Sequence, residues 1–101
     1  MQKAPSQLGK EGKKLWAQIC AGYQFDEVGT VILQRACECF EDLLAASRTL
    51  KREGLTYKDR FGSPRLHPAW RIAHEARESL LKHLRSLNVD PGEIPNIGGV
   101  K

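Results

Sequence analysis

The chain has no apolar stretch near the roughly 18 residues that a membrane-spanning helix requires, so a spanning segment is not expected. Its three cysteines, Cys20, Cys37 and Cys39, are odd in number and lack the spacing of a disulfide framework. The opening residues MQKAPSQLGKEGKK contain no apolar core of a signal peptide, and the expected setting is a reducing cytoplasm. A phosphate-cradling loop is also missing: GKEGKK has too few residues between its glycines and follows no strand. Cys37 and Cys39 point about 200° apart on a helix, and His67, His74 and His83 show no i, i+4 pairing, so no metal site and no cofactor is expected. No Ser, His and Asp constellation is legible, and the chain reads as a non-enzyme with no small-molecule substrate.

What is present is helical. At 101 residues the chain is one domain by length, here residues 1–90 with a flexible tail over 91–101. Leu8, Leu15, Trp16, Ile19 and Cys20 recur at helical spacing and predict a helix over about 7–23, with Ser6 as its N-cap and Gly9 and Gly12 weakening its first turns. Asp26 is a suitable N-cap for a long second helix over 26–53. Glu27 favours its positive end, and Gly54 suits the position just past its C-terminus. Pro68 fits the first position of a third helix running to 87, on which Trp70, Ala73, Ala76, Leu80, Leu84 and Leu87 form the apolar stripe. Beyond it, two prolines and three glycines in NVDPGEIPNIGGVK predict an unstructured end.

Between the second and third helices lies GLTYKDRFGSPRLHPAW, which cannot be helical. Leu55 to Lys58 and Pro64 to His67 read as two short extended pieces around the turn residues Asp59 to Ser63. The expected fold is therefore mainly α: a short N-terminal helix, then a long central helix and a C-terminal helix in an antiparallel hairpin, with a small β-hairpin or extended connection over 54–67 at its tip. An isolated two-stranded ribbon is marginal in water, so it needs helices or a neighbouring subunit to pack on.

Two features point outward. The second helix carries apolar residues around more of its circumference than one partner covers. Leu33, Cys37 and Leu44 lie off the stripe of Ile32, Phe40, Leu43 and Leu50, which predicts a homo-oligomer with Leu33, Cys37, Phe40 and Leu44 at the subunit interface. Charge is also segregated. Residues 26–47 carry Asp26, Glu27, Glu38, Glu41 and Asp42 against Arg35, whereas residues 48–65 carry Arg48, Lys51, Arg52, Lys58, Arg60 and Arg65 against Glu53 and Asp59. With Lys13 and Lys14 on the first helix, these cations are the candidate DNA-binding residues, since neutralising phosphates releases counterions whatever the base sequence. The same side chains also suit a helix C-terminus and a solvated loop with no ligand at all. A helix-turn-helix around Ala21 to Tyr23 has a glycine in its turn but nothing that marks a recognition helix.

Four blocks carry a resemblance. GKKLWAQI, FDEVGTVILQRACECFEDLL, REGLTY and RLHPAWRIAHEARESLLKHLRSLNV occur in an order, with Gly54-Leu55-Thr56, His67-Pro68-Ala69 and Leu84-x-x-Leu87-Asn88-Val89 as the specific pieces, that resembles the small subunit of bacteriophage terminase of the prophage and siphovirus type over about residues 8–89. The resemblance implies a non-catalytic packaging factor of the host bacterial cytoplasm. Such a factor assembles as a ring, binds double-stranded viral DNA and presents it to the large terminase subunit, which holds the ATPase and nuclease. Where that family's tail often carries a basic or Leu-Thr-Pro type segment, this chain has the acidic Asn88-Val89-Asp90-Pro91-Gly92. The alternative is a helical adaptor that binds proteins through an apolar face and never touches nucleic acid.

Overall fold

The computed structural model describes residues 3–93 and is mainly helical. Helix α1 spans Lys10–Gly22, α2 Glu27–Glu53 and α3 Pro68–Ser86. Between α2 and α3, strands β1 (Thr56–Lys58) and β2 (Pro64–Leu66) form an antiparallel ribbon in the register Thr56 to Leu66, Tyr57 to Arg65 and Lys58 to Pro64. A single 3-10 turn follows at Pro91–Glu93, so the first residues of the expected tail are turned; those beyond Glu93 lie outside the described residues.

Local chemistry sets most boundaries. Asp26 accepts a hydrogen bond from the Gly29 N–H at 2.7 Å and caps α2, and Gly54, at φ 88°, donates its N–H to the Leu50 carbonyl at 2.7 Å to close it. Helix α3 stops through Asn88 at φ 59°. The Asn88 N–H bonds to Arg85 O at 3.0 Å and the Val89 N–H to Leu84 O at 2.9 Å, and the Val89 side chain is buried beneath that turn. This is a Schellman ending with asparagine in the left-handed position, and it accounts for the Leu-x-x-Leu-Asn-Val pattern.

The start of α1 departs from expectation. It begins at Lys10 rather than Gln7, and Ser6 does not cap it. Leu8 closes a turn back to the Pro5 carbonyl, and Gly9 holds the cap position with no side chain of its own to offer. The acceptor comes from α2 instead.

The core joins Leu15, Trp16 and Ile19 of α1, Leu33, Cys37, Phe40 and Leu43 of α2, and Leu80 and Leu84 of α3. Each helix supplies one stripe, and α2, packed on by both α1 and α3, supplies the widest. This corrects the interface reading of α2. Leu33 and Cys37 are 0% exposed within the single chain, Phe40 is buried with them, and Leu44 is half-buried against the same cluster. The extra apolar width is covered by the chain's own α1 on one side and α3 on the other. The large apolar residues that remain uncovered on α2 are Val28 and Val31, 68% and 62% exposed. Trp70 also shifts. Ala69 takes the inward place at the start of α3, and Trp70 stands 40% exposed with its ring stacked on His74 at a centroid distance of 5.2 Å.

Candidate nucleic-acid interface

The ribbon is held by short-range polar contacts rather than by packing, for all six strand residues are exposed. Asp59 organises its turn: one carboxylate oxygen accepts the N–H groups of Phe61 (2.9 Å) and Ser63 (3.0 Å), and the other pairs with Arg65 Nε at 3.0 Å. Gly62, at φ 81°, takes the left-handed step that the turn requires. The Arg65 guanidinium, followed by the backbone N–H groups, holds the Asp59 carboxyl below the usual carboxylate range. At the turn, Arg60 lies over the Phe61 ring at 5.0 Å.

The base of the ribbon is tied by one histidine. His67 Nδ1 accepts the Ala69 N–H at 3.0 Å and so caps α3, while Nε2 meets the Glu53 carboxylate at the end of α2 at 2.8 Å. A ring nitrogen that accepts an amide N–H carries no proton, so the hydrogen sits on Nε2 and is donated to Glu53. That bond, followed by the one from Arg52 (3.1 Å), pulls the Glu53 carboxyl below its ordinary value.

The eight expected cations fall on three elements. Lys13 and Lys14 are exposed on α1; Arg48, Lys51 and Arg52 are exposed on the last turns of α2; Lys58, Arg60 and Arg65 are exposed on the ribbon. Arg52 and Arg65 are engaged with Glu53 and Asp59, and Arg60 with the Phe61 ring. Among the described residues, Lys13, Lys14, Arg48, Lys51 and Lys58 have no ion-pair partner within the chain. Arg48 also lines a pocket of about 430 Å³ with Lys10 and Glu41, so the end of α2 and the start of α1 share one surface. Sequence reasoning did not link Arg48 to α1. The carboxylate that makes the link, Glu41, was counted only as part of an acidic segment.

Glu41 Oε2 accepts from the backbone N–H of Gly9 and, at 3.2 Å, from that of Gly12. A Cβ at Gly12 would lie 2.8 Å from the Glu41 carboxyl carbon, so this approach needs glycine. The pair of glycines spaced by three at a helix start was the one available signal.

Among the described residues no three His, Cys, Asp or Glu side chains form a group able to hold a metal ion, and no helix is long and apolar enough to cross a membrane. Residues 10–97 match the family model of the phage terminase small subunit. The chain belongs to that family. The match covers every helix and the ribbon, so a phage packaging role follows for a terminase small subunit of this kind, in a family that is generally non-catalytic. No curated protein and no solved structure matches the chain.

Proposed function

We propose that this terminase small subunit is the DNA-recognising part of a genome-packaging machine. Copies assemble as a homo-oligomeric ring in the host bacterial cytoplasm, bind double-stranded viral DNA, and present it to the large terminase subunit. Each copy is a single helical domain in which α2 and α3 form an antiparallel hairpin with the ribbon at its tip. The observation that carries the reading is the set of exposed cations without acidic partners on α1, on the end of α2 and on β1, in a chain of this family.

Lys13, Lys14, Arg48, Lys51 and Lys58 supply most of the phosphate contacts, because each can give up solvent counterions without first breaking a bond inside the chain. Arg52, Arg60 and Arg65 contribute less, since part of their charge is already spent within the fold. Repeated around an oligomer, such weak contacts sum to useful avidity without any base-specific pocket.

The test is duplex binding at two salt concentrations, with the native mass of the assembly measured alongside. Steep weakening with salt, in an assembly larger than one chain, supports the reading. The exposed Val28, Val31, Phe61 and Ile72 favour the second reading, a protein-binding adaptor, and salt-independent indifference to DNA would select it.

A further inference from the structure

Among the described residues Phe61 is the most exposed large apolar side chain, a knob, and the same chain carries an apolar socket elsewhere. Phe61, 78% exposed at the turn of the ribbon, is presented by the Asp59 and Gly62 geometry described above rather than left on a loose loop. The socket is an apolar groove of about 390 Å³ between α2 and the start of α3, floored by Ala45, Ala46 and Ala69, walled by Thr49 and Ile72, and with Asp42 as the one carboxylate in its lining. A cavity of about 150 Å³ suffices for a benzene ring.

The knob cannot reach the socket of its own chain. The groove lies beside Pro68 at the base of the ribbon, and the ribbon's register holds the turn roughly 10 Å away along three-residue strands.

We propose that Phe61 seats in the α2 and α3 groove of a second copy of the chain, with Arg60 of the first copy against Asp42 of the second. This rests on the oligomeric reading above and names its contact surfaces. Charge selects this pairing over ribbon against ribbon. Two tips each rich in Arg and Lys repel, whereas residues 26–47 of α2 are acidic overall and set Asp42 at the groove. Knob and socket lie on different surfaces of the same chain, so the contact is heterologous, the type that propagates from copy to copy and generates a ring when its rotation closes. It also covers a ribbon that its own helices leave bare, which is what a marginal two-stranded element requires.

The experiment compares native mass by light scattering over a range of concentrations for the full chain and for Phe61→Ser, Arg60→Asp, Asp42→Arg and the double variant Arg60→Asp with Asp42→Arg. All three positions of change, Asp42, Arg60 and Phe61, are on exposed surface, and circular dichroism checks that helicity is kept. The expected result is self-association weakened about tenfold or more in each single variant, the size of a lost interface anchor, and recovered in the charge-swapped double. An unchanged assembly in the Phe61→Ser and Asp42→Arg variants overturns the proposal while leaving the oligomeric reading standing. Weaker DNA binding by Phe61→Ser at unchanged mass overturns it too and assigns the turn to the nucleic-acid face. A wild-type chain that stays single at all concentrations overturns both.

Discussion

Glu41 and Gly12 meet across two helices: the carboxylate of α2 accepts the backbone N–H of α1 at 3.2 Å, at the one place where a side chain on α1 would have kept them apart. An anion at a helix N-terminus meets the unpaired N–H groups and the positive end of the dipole together. A capping bond of this kind therefore also fixes how α1 lies on α2.

Removing it should destabilise the fold. Glu41→Ala is expected to cost about 1–2 kcal/mol in denaturant unfolding, the range of a lost helix cap. Gly12→Ala should also destabilise, by displacing the same carboxylate. The double variant should fall short of the sum, because both changes break one contact.

Leu33→Asp should unfold the chain rather than split an assembly. Leu33 is 0% exposed in its own protomer, and an unpaired carboxylate there is desolvated whether or not a second copy binds. Loss of helical circular dichroism together with loss of mass is the expected result. A folded single chain would instead put Leu33 at a subunit interface.

Two carboxylates give the ribbon a pH dependence. Glu53 and Asp59 both titrate below their ordinary values of 4.5 and 3.8, through His67 and then Arg52 in the first case, and through Arg65 and then the Ser63 N–H in the second. A lowered folded value means stabilisation that is present above the unfolded value and lost as pH falls through the folded one. The protection of the ribbon amides, taken relative to their intrinsic exchange at each pH, should therefore be flat above about pH 4.5 and fall below it. Asp59→Asn should give faster exchange already at neutral pH. Nitrogen NMR should find the His67 hydrogen on Nε2.

The thiols should separate by burial. Burial pushes all three upward, most strongly Cys37, which reaches about 12. Cys20 and Cys39 should alkylate first in the native chain, and Cys37 only as the chain unfolds.

The parts of this structure that were legible in advance are the local ones. Asp26, Gly54 and Pro68 act on backbone groups within a few residues, so their chemistry can be read from their neighbours alone. The ribbon around Asp59 to Ser63 was legible for the same reason. Glu41 was not, because its partner Gly12 is 29 residues away and nothing in either segment names the other. The breadth of the apolar face of α2 was read correctly but assigned to the wrong cover. Periodicity shows that a helix is buried on two sides without saying whether a neighbour or its own chain buries it. Trp70 was misplaced by one position, because a stripe that includes both Ala69 and Trp70 does not say which of them turns inward. Of the candidate site, the cations were visible, but their division into engaged and unengaged groups came only with Asp59, Glu53 and Phe61 in place.

The central claim is that unpartnered cations on α1, the end of α2 and β1 bind a phosphate backbone, and the salt dependence of duplex binding tests it most directly. For the wild-type assembly, log K should fall linearly with log salt. In the variant with Lys13, Lys14, Arg48 and Lys51 all changed to Ala, the slope should flatten by about 0.9 for each phosphate contact removed. Equal slopes for the two proteins, or no duplex binding by the wild type at low salt, would contradict the account.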